Sequence, residues 1–416
     1  MSENRIAVIG GGAAGMMAAI SAAQKGAEVM LFEPNKMLGK KLRITGKGRC
    51  NVTNNCEPAE LMQNITRNGK FMYSSVYRFK PADAISFFEG CGVPLKTERG
   101  RRVFPQSDRA ADVVWALERK LQDLGCVIIK DRIKNIKTED SRVCAVVSET
   151  KEYPCSAVVL ATGGVSYPGT GSTGDGHRMA RSLGLDVTEL KPSLVPVVTK
   201  DKTDDMMGLT LKNVTLSVYR GEKKVFSEMG EMLFTHFGVS GPLVLSASAH
   251  MQTGSVSDYK MKIDLKPALS EAELDRRILS DFEKYSARDF VNALGDLLPR
   301  KLIPSVIKKS GVPERIKVSS ITKEMRARLV ATLKAYPLTP VSFRPIDEAI
   351  VTCGGVSVKE IDPKTMMAKK IGGLFICGEL LDLDAYTGGY NLQIAWSTGK
   401  VAGEAAAETV MQNAEC

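Results

Sequence analysis

A glycine-rich segment near the start of the chain has the residue types and spacing of a dinucleotide site. Gly10-Gly11-Gly12-Ala13-Ala14-Gly15 fits the pattern G-x-G-x-x-G between an apolar strand and an alanine-rich helix. Gly10 allows the tight turn, Gly12 allows the backbone to approach a pyrophosphate at the helix N-terminus, and Gly15 allows close packing of helix on strand. Glu33 ends the next predicted strand, where a carboxylate can accept from ribose hydroxyls and opposes a 2′-phosphate. The segment therefore predicts a binding site for FAD or NAD.

Three later segments extend this prediction to FAD. Ala161-Thr162-Gly163-Gly164 ends an apolar strand, as the corresponding turn does in two-domain flavoproteins. Gly378-Glu379 follows the apolar run Leu374–Cys377, so that its carboxylate can reach the ribityl chain or the pyrophosphate region. Gly388-Gly389-Tyr390-Asn391-Leu392 opens the last predicted helix, whose N-terminal amides can stabilise negative charge at the N1–C2=O edge of a reduced flavin. An NAD dehydrogenase does not require this third segment, which therefore favours FAD.

A second G-x-G-x-x-G segment, Gly169-Thr170-Gly171-Ser172-Thr173-Gly174, is interpreted differently. It follows Tyr167-Pro168 and not a strand, and no strand that ends in a carboxylate follows at a suitable distance. We therefore expect a loop with a Ser/Thr helix cap. NADH or NADPH would then be a transient hydride donor that binds above the flavin.

The elements that must position these residues follow from hydrophobic periodicity. Arg5–Gly10, Ala13–Lys25 and Ala27–Glu33 read as strand, helix and strand, the start of a Rossmann unit. A glycine- and lysine-rich loop is expected at Lys40–Asn54. Further helices are predicted at Pro81–Gly90, Ala110–Leu124 and Leu392–Met411, and further strands at Val127–Ile136, Arg142–Val147 and Ala157–Thr162.

The middle of the chain changes character. Leu209–Tyr219 alternates with period two, which predicts a strand, and further strands are expected at Lys224–Phe226 and Lys260–Leu265. Ser270, an N-cap candidate three residues before Glu273, begins a pattern that is helical through Tyr336. The expected fold class is α/β: a Rossmann-type FAD-binding domain, residues 1–190 and 346–416, with an inserted antiparallel-β plus helical substrate domain at 191–345.

Composition narrows the classes of protein. With 416 residues, 44% hydrophobic and 25% charged, the chain is typical of a globular protein. The longest apolar runs are of strand length, and the first residues lead straight into a strand, so we expect no membrane helix, no membrane partner, no signal or transit peptide, and a cytoplasmic location. Nine cysteines lack a Cys-x-x-Cys pair and zinc-like spacing, which predicts reduced, buried thiols, no metal site and no dithiol mechanism.

The net charge of +10 is unevenly distributed. Arg300–Lys334 contains ten basic residues and only two acidic ones, Glu314 and Glu324. Such a segment could bind RNA or an anionic substrate. An ordinary solvated helical face is the alternative interpretation.

Four separated blocks resemble the BaiN/YhiN family of bacterial flavoproteins, and the resemblance covers essentially the whole chain. The blocks are Gly46-Lys47-Gly48-Arg49-Cys50-Asn51-Val52-Thr53-Asn54, Thr170–Gly176, Leu233–Pro242 and Gly388–Asn391. The resemblance implies a two-dinucleotide-binding-domain FAD fold with an inserted domain. By motif position it implies FAD contacts at Ala14, Glu33, Lys40, Lys41, Gly46, Ile133, Glu379, Asn391 and Leu392. Lys40-Lys41 departs from the Arg-Lys that relatives often have, and lysine lacks the planar fork of arginine.

The same resemblance implies two alternative substrates. Some members are described as reducing C=C bonds of 3-oxo-4,6-dienoyl bile acids, and others are linked to dihydrouridine in large-subunit ribosomal RNA. Both reductions pass hydride to an alkene conjugated to a carbonyl and need an acid to protonate the neighbouring carbon. We favour the anionic steroid narrowly over the RNA. A flavin-bound RNA- or ribosome-binding factor without turnover is a third alternative.

Cys50 and His236 are the best candidates for the acid. His236 lies in a glycine-rich loop of the insert, where a structural role is the alternative, and a packing role is the alternative for Cys50. Arg49 and Asn51 could polarise a substrate carbonyl or bind flavin oxygens. The tyrosines at positions 386 and 390 could stack or donate near the flavin ring, or simply pack in the core.

Overall fold

The chain folds into two compact units, Met1–Ser193 with Ile346–Cys416, and Leu194–Pro345. The structure is a computed structural model that describes residues 5–414. Within those residues, no helix is long and apolar enough to cross a membrane.

A five-stranded parallel sheet forms the centre of the first unit. In spatial order its strands are Leu374–Ile376, Ala157–Leu160, Arg5–Ile9, Glu28–Phe32 and Val127–Ile129. Val8 pairs with Val159 on one side and Leu31 on the other, and all three are fully buried. Such continuous apolar strands are typical of a parallel sheet that is covered on both faces. This sheet, with the antiparallel sheets described below, confirms the predicted α/β fold class.

The first helix, Ala13–Gln24, packs directly against the last helix, Tyr390–Ala414. Gly399 and Gly403 make this approach close, because a Cβ on either glycine would overlap a backbone carbonyl of the first helix, at Ala14 and Ala18 respectively. The last helix therefore packs closely against the N-terminal half of the first helix.

The remaining elements of the first unit are short. Its other helices are Thr45–Gly48, Pro58–Gln63, Tyr73–Arg78, Pro81–Gly90, Ala110–Asp123 and Asp175–Ser182. Antiparallel strands form four groups: Asn135–Glu139, Arg142–Val147 and Glu152–Pro154; Thr53–Asn54, Leu95–Glu98 and Arg102–Pro105; Ile65–Arg67 and Asp384–Ala385; Lys191–Ser193 and Val351–Cys353. The single strand predicted at Val127–Ile136 is wrong. The segment 130–134, which is charged except for the buried Ile133, interrupts it, and its two halves belong to different sheets.

The second unit is built on a seven-stranded antiparallel sheet. In spatial order its strands are Tyr336–Leu338, Tyr259–Asp264, Thr210–Arg220, Lys223–Thr235, Gly238–Ser240, Val197–Thr199 and Pro340–Phe343. Its helices are Pro242–Ser248, Glu271–Lys284, Ile303–Ser310 and Lys323–Lys334. The predicted N-cap is confirmed, since the Ser270 hydroxyl accepts from Glu273 N at 3.3 Å. A helical pattern through Tyr336 is wrong, because glycine and proline at 295, 299, 311 and 313 divide it.

Candidate cofactor site

The turn between the first strand and the first helix leaves open space in front of the helix N-terminus. Gly10 has φ 106°, and a Cβ there would lie 2.6 Å from Ala161 O. A Cβ on Gly15 would overlap Gly10 O, so helix and strand touch. Gly12 is different, because no atom lies within 4 Å of the position a Cβ would take. Open space thus lies beside Gly12 at the N-terminus of this helix, which is the kind of position where a pyrophosphate binds.

Glu33 is held in place at the end of the second strand, where it is 9% exposed. Its Oε2 accepts from Gly11 N at 2.9 Å, and its Oε1 accepts from Asn35 N at 2.9 Å and from Asn35 Nδ2 at 2.7 Å. Each carboxylate oxygen has two lone pairs, so Oε2 can accept one further hydrogen bond. A ribose hydroxyl suits that remaining position.

Lys41 and Glu379 form an ion pair between the two ends of the chain. Lys41 Nζ donates to Glu379 Oε2 at 2.7 Å and Oε1 at 3.0 Å, and to Ser166 Oγ at 2.8 Å. Glu379 Oε1 also accepts from Thr352 N at 3.0 Å. Both charged side chains are 22% exposed, so this network lies half-buried. No local sequence pattern indicated Ser166 or Thr352.

The Gly378 turn lies against the first helix. Gly378 has φ 71°, and a Cβ there would lie 2.6 Å from the Ala14 Cβ. Its backbone N donates to Thr398 Oγ1 at 3.0 Å, which fixes the turn to the last helix. Thr398 was not predicted. The small-residue spacing of Gly399 and Gly403 immediately after it is the signal that could have indicated close packing there.

The segment that opens the last helix is stabilised mainly by its own contacts. A Cβ on Gly389, φ 99°, would overlap the backbone of Thr53. Asn391 Oδ1 accepts from Ala385 N at 2.9 Å, and its Nδ2 donates to Ala385 O at 2.7 Å. Burial raises the pKa of Tyr390 to about 12. The Asn391 side chain is therefore engaged by its own loop, and the helix amides at Tyr390–Leu392 are the groups left for a ligand.

Cys50 and Arg49 are both enclosed or engaged by other parts of the chain. Cys50 has a left-handed backbone, φ 61°, is 0% exposed, and burial raises its pKa to about 12. A thiol so enclosed cannot touch a substrate in this arrangement, which favours the packing interpretation. Arg49 donates to Glu98 and, through Nε at 2.8 Å, to Asp108 Oδ1, and lies 4.1 Å from the centre of the Phe104 ring. Its guanidinium is thus engaged by two carboxylates.

Two buried polar atoms at the predicted positions lack a partner. Asn51 Oδ1 and Thr162 Oγ1 are buried and make no hydrogen bond within the described residues. Buried acceptors are normally paired, so these two fit a site that a ligand N–H or O–H completes. Gly46, φ 55°, lies beside Asn51, because a Cβ there would be 3.1 Å from Asn51 N. Neighbouring Gly163 has φ 74°.

The other predicted residues divide between the units. Ile133 is 3% exposed in the first unit, and Lys40 is half-buried beside Lys41. His236 is exposed in the second unit, with its ring centre 5.0 Å from that of Phe237. The first unit thus contains every predicted cofactor residue, and the second contains one of the two candidate acids.

The loop at Gly169–Gly174 departs from the prediction in one respect. The following helix, Asp175–Ser182, has Gly174 at its N-cap, φ 79°, and no side-chain cap hydrogen bond. Thr173 Oγ1 lies 3.1 Å from Asp175 Oδ2 instead. The expected Ser/Thr cap is therefore wrong, because a residue in the left-handed region occupies the capping position and carries no side chain.

The basic segment Arg300–Lys334 is partly neutralised by aspartates from other elements. Four of its side chains pair within 2.8 Å: Lys309 with Asp201, Lys317 with Asp289, Arg326 with Asp275, and Lys334 with Asp264. None of these aspartates lies within the segment, so a count along the sequence misses them. The structure reduces the excess charge that an RNA backbone would contact.

Residues 4–405 match the profile described as HI0933-like protein Rossmann domain. The 3-dehydro-bile acid delta(4,6)-reductase of Clostridium scindens is 31% identical over 410 residues, 97% of this chain and 99% of that enzyme. The ribosomal RNA dihydrouridine synthase of Haemophilus influenzae is 31% identical over 407 residues, 95% of this chain and 96% of that enzyme.

Two solved structures have a similar fold. One is 3-ketosteroid-delta4-(5alpha)-dehydrogenase from Rhodococcus jostii RHA1, with a TM-score of 0.51, 17% identity and 98% of each chain covered. The other is a flavocytochrome c3 fumarate reductase, with a TM-score of 0.50, 17% identity, and 98% of this chain and 78% of that chain covered. At this identity the likeness concerns the fold alone.

Proposed function

We propose that this chain, which belongs to the HI0933-like Rossmann-domain family of BaiN/YhiN-type flavoproteins, reduces a 3-oxo-4,6-diene bile acid. It is an FAD-dependent oxidoreductase. The proposed reaction adds hydrogen to a C=C bond conjugated to a carbonyl. The proposed electron donor is NADH or NADPH, which is oxidised as the alkene is reduced.

The observation that carries the choice of substrate is the pairing of the basic segment. Sequence identity does not separate the two activities, since both relatives are 31% identical. RNA binding needs many unpaired cations along a backbone. In Arg300–Lys334, Lys309 and Lys334 instead make half-buried ion pairs within their own unit, with side chains 20% and 17% exposed. A small anionic steroid needs only one or two cations.

Bound FAD supplies hydride transfer to the electron-poor carbon of the alkene. The chain's own residues bind and orient it. The glycine turn and the first helix would hold the pyrophosphate and Glu33 would accept from the ribose, while the Lys41–Glu379 pair would hold the segments around the cofactor together. The amides at Tyr390–Leu392 stabilise negative charge.

The proposed proton donor is His236. An acid must come within hydrogen-bond reach of the carbon beside the hydride acceptor. The His236 ring is exposed, whereas the Cys50 thiol is 0% exposed. His236 therefore remains the candidate acid, and Cys50 is assigned to the packing of its loop.

The decisive experiment assays both substrates. Purified holoprotein with NADH or NADPH should consume a 3-oxo-4,6-diene bile acid, seen as loss of the diene absorbance and formation of the reduced product. Deletion of the gene should leave dihydrouridine in 23S ribosomal RNA unchanged. Loss of dihydrouridine without steroid turnover would contradict the proposal.

The second candidate function is ribosomal RNA dihydrouridine synthesis. Two relatives carry that name, and the one from Escherichia coli is 29% identical over 394 residues. The same hydride and proton transfers would serve a uridine ring, whose C=C bond is also conjugated to a carbonyl. The deletion arm of the experiment tests this candidate directly.

A further inference from the structure

A hairpin in the first unit carries arginines at its tip. Its strands are Leu95–Glu98 and Arg102–Pro105, and Glu98 pairs with Arg102 at the open end of the turn. Between them, Gly100 has φ 74° and Arg101 has φ 57°. Arginine rarely adopts this left-handed conformation, so the surrounding contacts must impose it. The consequence is that three arginine side chains leave the same tight turn.

One buried side chain joins this tip to the cofactor site. Asn54, 1% exposed, donates through Nδ2 to Gly100 O at 3.0 Å and to Gly388 O at 3.0 Å. Asn55 N donates to Arg101 O at 2.7 Å. Gly388 lies two residues before Tyr390, where those helix amides begin. The arginine turn is therefore fixed beside that segment.

The arginines of the tip differ in their partners. Arg101 pairs with Glu60 on the surface. Arg99 and Arg102 are exposed and have no carboxylate partner within residues 5–414. Among the described residues, the Arg102 guanidinium donates from Nε to Arg99 O at 3.1 Å and lies 5.7 Å from the centre of the Phe104 ring, with no ion pair. Arg49, which lies 4.1 Å from the centre of the same Phe104 ring, is by contrast held by two carboxylates.

We propose that Arg99 and Arg102 form a binding site for the oxyanion of the substrate, a steroid carboxylate or an RNA phosphate. The planar guanidinium matches either group with paired hydrogen bonds. This inference rests on the proposed function, because it takes the Gly388–Leu392 segment as part of the cofactor site. Beyond that function, it specifies which residues bind the anionic end of the substrate.

The test titrates holoprotein with a 3-oxo-4,6-diene bile acid and with its uncharged methyl ester, following the flavin absorbance. Arg99→Gln and Arg102→Gln should each weaken binding of the acid about tenfold and leave the ester unchanged, because a charge-assisted hydrogen bond is lost. Arg99→Lys should restore only part of the affinity, because lysine keeps the charge but lacks the planar fork of arginine. Arg119→Gln, at another exposed arginine of the same unit, is the matched control and should bind both as the wild type does.

A second arm distinguishes a phosphate from a carboxylate. A uridine-containing oligoribonucleotide replaces the steroid, and its affinity is measured against salt. If phosphate is the partner, each Gln variant should lower the slope of log K against log salt by about 1. Binding requires no turnover, so failure of the proposed reaction and failure of this inference are separate results. The inference is wrong if wild type binds neither acid nor RNA, or if both variants bind them unchanged.

Discussion

Lys41 Nζ lies 2.7 Å from Glu379 Oε2, although the two residues are 338 positions apart in the chain. Ser166 Oγ and Thr352 N join the same carboxylate, at 3.2 and 3.0 Å from Oε1. Four distant segments thus converge on one half-buried charge. Removing one partner of a half-buried ion pair destabilises a fold, because the other charge is left without compensation.

Lys41→Gln should therefore weaken FAD binding about tenfold or more and lower the free energy of unfolding by about 1–3 kcal/mol, since Glu379 keeps its charge without its cation. FAD release measured by fluorescence and denaturant unfolding would check both effects. Lys25→Gln is the matched control, because its pair with Glu408 at 3.5 Å is about half exposed and should contribute little. Equal effects of the two substitutions would remove Lys41 from the site.

Gly12 and Gly15 should respond differently to alanine. Gly12→Ala places a methyl group in open space, so the apoprotein should keep its unfolding midpoint while FAD affinity falls at least tenfold. Gly15→Ala drives a Cβ into Gly10 O and should destabilise the apoprotein by about 1–3 kcal/mol. Thermal unfolding of apoprotein with and without added FAD separates the effects. Wild-type FAD binding by Gly12→Ala would contradict the proposed pyrophosphate position.

His177 should make the fold sensitive to acid. Neither ring nitrogen has a hydrogen-bond partner within the described residues, the side chain is 1% exposed, and burial, with Arg181, lowers its pKa to about 4. The folded-state pKa lies below the ordinary value of 6.5, so stability present above pH 6.5 is lost as the pH falls towards 4. The loss amounts to at most about 3 kcal/mol.

His177→Leu removes that titration. Its free energy of unfolding should stay near the wild-type value at pH 7 and exceed it at pH 4.5, by about 1–3 kcal/mol. Urea unfolding at the two pH values measures the difference. An identical acid dependence in wild type and variant would show that His177 is not charged on unfolding. Glu379, which is the nearby group that favours the charged histidine, should be left intact in both proteins.

His236→Gln should lower kcat by about 10²-fold or more and keep the bound flavin, if the imidazole protonates the substrate carbon. Cys50→Ala should lower the free energy of unfolding instead, by about 1 kcal/mol, because the thiol is fully buried and its loss leaves a small cavity. Turnover, flavin absorbance and denaturant unfolding of both variants distinguish the roles. Wild-type kcat in His236→Gln would exclude that residue as the acid.

The sequence by itself determined the features that depend on short-range patterns. The G-x-G-x-x-G turn, the strand before it and the helix after it are recognisable because each glycine answers a local requirement, a turn or a close approach. The N-cap at Ser270 is local in the same sense. These patterns, with the Gly378 and Gly388 segments, were enough for the FAD-binding fold, and motif resemblance added the family.

Only the tertiary structure decided which side chains meet. The Lys41–Glu379 pair, the contact of Thr398 with Gly378, and the close packing of Gly399 on Ala14 join parts of the chain that share no sequence pattern. The basic segment is a second example. A count along the chain leaves its charges unpaired, whereas the structure pairs some of them with aspartates outside the segment. Periodicity reports which face of an element is buried, whereas ion pairs depend on the partner that folding brings within about 4 Å.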